Sequence, residues 1–231
     1  MAFTAKAIAK MMDLSCVRTT STWDDIQTLV NTAIKYEFGQ VSIMQCFIPE
    51  VKKMIAAYPG IHLVGNVSFP SGSDSTSVKV FQAGEMVAAG CDEIDVVMNV
   101  ARFLSGRMDE VQEDLRAVVK AAGSLPVKVI IEAAYLTPEQ VQTASRIAVD
   151  VGAAFVKTGT GWAEKGATVE DVRLIKSVVG ERIQIKASGG IRSLSTLLEM
   201  YKSGARRFGV NLRSGKAIVE EAAGNPGMLS I

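Results

Sequence analysis

Histidine is almost absent from this chain of 231 residues; the single one is His62, inside the apolar run Ile61-His62-Leu63-Val64. A Ser-His-Asp triad would depend on that one residue, histidine-rich zinc sites are excluded, and its apolar neighbours make it read as structural. Cysteine is scarce too. Cys16, Cys46 and Cys91 are odd in number, far apart and in no metal-ligand spacing. They read as small buried hydrophobes in a reduced compartment, not as a disulfide framework. No run approaches the roughly 18 apolar residues of a membrane span, and residues 1–10 carry Lys6 and Lys10 without the apolar stretch of a leader. Neither sign of charge dominates: Lys+Arg is 25, Asp+Glu is 24 and the net charge is +1. That balance gives no reason to expect nucleic acid or an anionic membrane as partner. The expectation is a cytoplasmic protein, without metal or cofactor, that acts on a small molecule.

What is present is apolar material in a regular order. Hydrophobic residues make up 48% and charged residues 21%, enough for a large core. Short apolar runs at 11–17, 41–44, 61–67, 93–97, 127–131, 154–157, 183–186 and 207–210 read as strands. Each is followed by a segment of helical spacing, with ends marked by Gly39, Gly90, Gly123, Gly152 and Gly204 and starts by Thr137-Pro138 and Thr168-Val169-Glu170-Asp171. The last helix is expected over 215–223. Eight βα units in this length fit a single TIM (β/α)8 barrel spanning residues 1–231. The competing architecture is a doubly wound open sheet, but no Gly-x-Gly-x-x-Gly follows the first strand.

Polar residues at the strand ends carry the chemistry, because a barrel of this kind works at the C-terminal ends of its strands. Lys157 and Lys186 end two neighbouring apolar runs, and each is followed by a glycine-containing loop. Asp95 sits between Ile94 and Val96, Asp13 lies in the first strand and Glu132 ends the fifth. A buried lysine is costly as a cation. A second cation beside it disfavours its protonation further and makes the amine a nucleophile toward carbonyl carbon. The resulting imine is an electron sink, and a carboxylate moves the protons. This is the logic of a class I aldolase. The bland alternative is that both lysines are rim residues paired with Asp95 and Glu132.

The glycines have two readings as well. Gly189-Gly190 follows the seventh strand and Gly209 lies in the eighth, where such barrels bind phosphate through backbone N–H groups. Arg192, Arg213 and Lys216 are nearby cations. Tight turns that need positive φ explain the same glycines.

These residues lie in segments that resemble the 2-deoxyribose-5-phosphate aldolase family. The segments are Gly90-Cys91-Asp92-Glu93-Ile94-Asp95-Val96-Val97-Met98-Asn99, Val127-Lys128-Val129-Ile130-Ile131-Glu132, Phe155-Val156-Lys157-Thr158-Gly159-Thr160-Gly161, Gly166-Ala167-Thr168-Val169-Glu170-Asp171-Val172 and Ile185-Lys186-Ala187-Ser188-Gly189-Gly190-Ile191-Arg192. The likeness is strong over residues 78–208 and weak before 61. It implies a TIM barrel that reversibly cleaves 2-deoxyribose 5-phosphate to glyceraldehyde 3-phosphate and acetaldehyde. It casts Lys157 as the Schiff-base lysine, Lys186 as the lysine that lowers its pKa and Asp95 as the proton relay. Thr160, Gly161, Gly189, Gly190 and Gly209 would line the substrate and phosphate site, and the family's habit implies a homodimer.

The chain departs from the family pattern at several points. It has Asp13-Leu14-Ser15 in the first strand, Ser42 for a common cysteine, Ala133-Ala134-Tyr135 after Glu132, and Gly159 and Trp162 after Lys157. At the phosphate loop it reads Gly209-Val210-Asn211-Leu212-Arg213, with Asn211 for a serine and Arg213 as a compensating charge. A Schiff-base aldolase for another, non-phosphorylated acceptor therefore stays open. So do a non-imine phosphosugar isomerase or decarboxylase and a metabolite-binding barrel without catalysis.

Overall fold

The computed structural model describes residues 3–225. Eight parallel strands close on themselves in chain order: β1 (Met12–Cys16), β2 (Gln40–Ile43), β3 (His62–Val67), β4 (Glu93–Val97), β5 (Val127–Ile130), β6 (Phe155–Lys157), β7 (Gln184–Ser188) and β8 (Arg207–Asn211). Closure is made by β1 against β8, with Asp13 opposite Gly209. That pairing excludes the open doubly wound sheet.

The outer layer comprises α1 (Ala5–Lys10), α2 (Trp23–Tyr36), α3 (Ile48–Met54), α4 (Thr76–Ala88), α5 (Val100–Leu104), α6 (Met108–Ala122), α7 (Pro138–Asp150), α8 (Val169–Val179), α9 (Leu194–Lys202) and α10 (Leu212–Gly224). None of these described helices is long and apolar enough to cross a membrane. Their starts follow from the sequence. Thr22, Thr137 and Thr168 each accept from the backbone three residues on, while Asp25, Gln140 and Asp171 bond back to the cap, so each start is a capping box.

Several ends differ from the sequence-based expectation. Helix α2 is closed by Glu37 in the left-handed region at φ 56°, not by Gly39. Gly39 serves close approach instead: a Cβ there would lie 2.2 Å from the Lys10 carbonyl oxygen. That carbonyl belongs to α1, which periodicity did not mark because it has six residues. Five-residue α5 escaped for the same reason. Strand β7 runs two residues past Lys186, and α10 begins at Leu212, ahead of the expected 215.

Strand side chains alternate between two environments, as the period of two demands. One set is apolar and buried against the helices: Leu14, Val41, Leu63, Ile94, Val96, Val129, Val156, Ile185 and Phe208 meet helix residues such as Leu29, Leu115, Ile175 and Ile218 in one core. The other set points into the barrel and is largely polar: Asp13, Gln40, Ser42, Asn66, Glu93, Asp95, Lys128, Lys157, Lys186 and Ser188 are all buried. Barrel interiors are ordinarily filled by branched apolar side chains, so the polar filling points to function.

The cysteines divide by location. Cys91 is buried and its thiol is pushed up to about 11 by that burial, Cys16 is partly covered, and Cys46 is exposed, against the expectation that all three are core residues. Close packing makes the helix-facing layer the source of stability. Ile94→Ala, a fully buried change beside Asp95, should cost about 2–5 kcal/mol in urea unfolding; a cost below about 1 kcal/mol would contradict tight packing there.

Candidate active site

Asp95 lies on the inward face of β4 and is completely buried. Three lysines from three strands converge on it. Lys157 of β6 and Lys186 of β7 donate to Oδ2 at 2.7 and 3.0 Å, and Lys128 of β5 donates to Oδ1 at 2.9 Å. Lys157 and Lys186 are register partners on adjacent strands, which brings both ammonium groups to one oxygen. The pairing goes further. Lys186 Nζ also sits 2.6 Å from Asp13 Oδ2, and Lys128 also meets Glu93. Arg207 of β8 lies 3.5 Å from Asp13 and 3.8 Å from Glu93. Asp95, Lys186, Asp13, Arg207, Glu93 and Lys128 thus form a closed ring of alternating charge. Each of its three cations bridges two carboxylates, and Lys157 hangs from Asp95 as the one cation outside the ring.

Electrostatics follow from that arrangement. For Lys157 burial is the largest cause; Lys186 and Lys128 add to it, Asp95 opposes, and the pKa falls to about 8. Burial and a second cation are the two causes expected from the sequence; both act here, and burial leads. Burial also works against the Lys186 ammonium, but Asp13 and Asp95 together overcome it, so its pKa rises. Burial alone would raise Asp95, yet Lys128, Lys157 and Lys186 hold it well below the usual carboxylate range. Two neighbouring lysines are therefore driven in opposite directions, one toward a free amine and one toward a fixed cation.

Above this cluster opens a cavity of about 590 Å³, the size of a small-metabolite site. Lys157, Lys186 and Asp13 reach it from below. Thr160, Gly161, Gly189, Gly190, Gly209, Asn211 and Arg213 line its walls, together with Arg18, Trp162 and Arg192. Asp95 lies beneath the lysines. Lys216 is not among the lining residues and lies 3.9 Å from Glu220 on α10.

Several expected ligands have structural duties. Thr160 donates from both its N–H and its hydroxyl to Glu132, so Glu132 holds the loop after β6 and does not pair with Lys157 or Lys186. Gly159 leaves room for that carboxylate, since a Cβ there would lie 2.6 Å from Glu132 Oε1. Asn211 caps α10, its Oδ1 accepting from Ser214 N at 2.8 Å. Gly189 and Gly190 have φ of 90° and 77°, so the turn reading holds for them, and both still border the cavity. His62 stands outside any triad, its Nδ1 3.5 Å from Glu93. Among the described residues no group of three or more His, Cys, Asp or Glu side chains is arranged to hold a metal ion.

Sequence reasoning missed Lys128, Glu93 and Arg207. They lie in the lower half of the barrel, away from the strand ends that were searched. The signal was available: Lys128 interrupts the apolar run Val127-Lys128-Val129-Ile130 as Asp95 interrupts its own.

Comparison with known proteins agrees with this geometry. Residues 7–221 match the family model described as DeoC/LacD family aldolase. The likeness therefore reaches well before residue 61, where the motifs themselves are weak. The chain is 42% identical over 217 residues to a deoxyribose-phosphate aldolase of Carboxydothermus hydrogenoformans, covering 92% of this chain and 94% of that one. It is 39% identical over 225 residues to that of Klebsiella pneumoniae, covering 96% and 90%. A solved structure described as QR15, an aldolase, superposes with a TM-score of 0.89 at 34% identity, over 96% of this chain and 99% of that chain. A closed eight-stranded barrel with paired lysines at its centre and relatives of this closeness lead to one conclusion: the chain belongs to the DeoC/LacD aldolase family.

Proposed function

We propose that this protein is a class I aldolase that reversibly cleaves 2-deoxy-D-ribose 5-phosphate to D-glyceraldehyde 3-phosphate and acetaldehyde, with Lys157 as the imine-forming residue. The observation that carries it is a buried amine at the floor of the cavity whose pKa is drawn down to about 8. At pH 7 about one such amine in ten is neutral, against roughly one in several thousand for an ordinary lysine. The relatives named above are deoxyribose-phosphate aldolases, which supports the choice of substrate. The cavity volume suits a phosphorylated five-carbon sugar.

The residues divide the work. The neutral Lys157 Nζ attacks C1 of the open-chain sugar, and loss of water gives a protonated imine. That cation draws electrons from the C2–C3 bond. As the C3 hydroxyl gives up its proton, the bond breaks, glyceraldehyde 3-phosphate leaves and an enamine remains on Lys157. Protonation at C2 and hydrolysis release acetaldehyde and restore the amine. Asp95 is placed to exchange protons with Lys157 across 2.7 Å. Lys186 stays charged between Asp13 and Asp95 and disfavours a second positive charge beside it. A homodimer and a cytoplasmic location fit this reading.

Borohydride trapping tests it. Incubation with acetaldehyde and reduction should add one ethyl group to Lys157, read by intact mass and peptide mapping. Lys157→Leu should abolish the adduct; an adduct elsewhere, or none with any small aldehyde, would sink the assignment. The pH dependence has a definite sign. The free-amine fraction grows as pH rises through the Lys157 pKa, so adduct formation should accelerate between pH 7 and 9 with a midpoint near 8. Lys186→Met removes a cation that lowers this pKa and should move the midpoint up by about 1–3 units. An unmoved midpoint in a folded variant would deny Lys186 that role.

A further inference from the structure

Two loops meet across the mouth of the cavity. Arg18, in the loop after β1, donates from Nη2 to the carbonyl of Gly161 at 2.7 Å, in the loop after β6. Its guanidinium carbon stands 5.0 Å from the centre of the Trp162 ring. Trp162 answers by donating from Nε1 to the Val17 carbonyl at 3.1 Å, and its ring meets Phe69 edge-on with centroids 6.3 Å apart. Arg18 and Trp162 both line the cavity, and among the described residues Arg18 has no carboxylate within ion-pairing distance.

The wall at the end of β8 adjoins the loop after β1, since Ser15 pairs with Asn211. There Asn211 caps α10 with its side-chain oxygen, and the side chain of Leu212 beside it is apolar. Arg192 and Arg213 also border the cavity, but among the described residues neither makes a side-chain hydrogen bond or an ion pair that fixes its position. Arg18 alone of the three is held in place, by one hydrogen bond and a stacked aromatic face, with donors of its five-fold fork left over. A cation already ordered gives up less freedom when it binds.

We propose that Arg18 is a specificity-determining residue, held by Trp162 and Gly161, that binds the phosphate or equivalent oxyanion at the end of the aldehyde substrate farthest from Lys157. This deepens the aldolase reading and rests on it. Retro-aldol cleavage of 2-deoxyribose 5-phosphate and of 2-deoxyribose measures the discrimination directly, as the ratio of their kcat/KM values. Arg18→Met should lower that ratio roughly ten- to a hundredfold, the worth of a charged hydrogen bond. Trp162→Ala, which frees the guanidinium, should lower it in the same direction. A ratio that stays put in both variants, or an equal loss for the two substrates, would overturn the assignment. The acetaldehyde adduct of the unsubstituted protein keeps the two readings apart: without that adduct the aldolase reading itself fails, and with it an unchanged ratio removes Arg18 alone.

Discussion

One carboxylate shared by three lysines is the constraint on which the rest of this structure depends. Asp95 has no contact with solvent, and an ion so buried is tolerable only when its partners are close and complete. Completeness comes from the ring in which Lys128, Lys186 and Arg207 each bridge two of Asp13, Glu93 and Asp95. Three cations and three carboxylates cancel. Lys157 is then one positive charge too many, in a place where burial already disfavours charge, and it is the group that yields its proton near neutrality. Breaking such a ring at one member strands a buried charge, at a cost of about 3–5 kcal/mol. The lowered pKa of Lys157 and the stability of the barrel interior are thus coupled.

The closed barrel makes this arrangement possible. Parallel strands of alternating side chains send one set outward to the helices and the other inward to a common axis. Residues from β1, β4, β5, β6, β7 and β8 then meet although they lie far apart in the chain. The apolar outer set holds the strands in register, so the inner set need not contribute apolar burial. Loops at the C-terminal ends add the walls. Glu132, itself in the left-handed region at φ 51°, fastens the loop after β6 through Thr160, and that loop carries Trp162 to the cavity mouth.

Much of this was legible in the sequence, for physical reasons that differ from residue to residue. The eight βα units could be counted because capping threonines and left-handed glycines punctuate them. Lys157 and Lys186 stood out because each ends an apolar run, and Asp95 because it interrupts one. Lys128 interrupts one too, but it lies below the strand ends and was passed over, as were Glu93 and Arg207 at the starts of their strands. Helices α1 and α5 are shorter than two full turns and leave no periodic trace. The Asn211 cap is local, to Ser214, and was missed because α10 was expected to start only at 215. The duty of Glu132 depends on the Thr160 N–H, 28 positions along the chain, which spacing does not reveal. The same holds for Arg18, whose meeting with Trp162 spans 144 positions of sequence separation between the two loops' residues.

The central claim is that Lys157, left outside the ring, titrates near pH 8, so that a share of it is free amine already at neutral pH. Its most direct test is an NMR titration of the folded protein carrying isotope-labelled lysine, with the Lys157 signal assigned by its loss in Lys157→Leu. The account predicts a Lys157 midpoint near 8, while Lys186 stays protonated throughout that range. A Lys157 midpoint at the ordinary 10.5, or a Lys186 that titrates first, would contradict it.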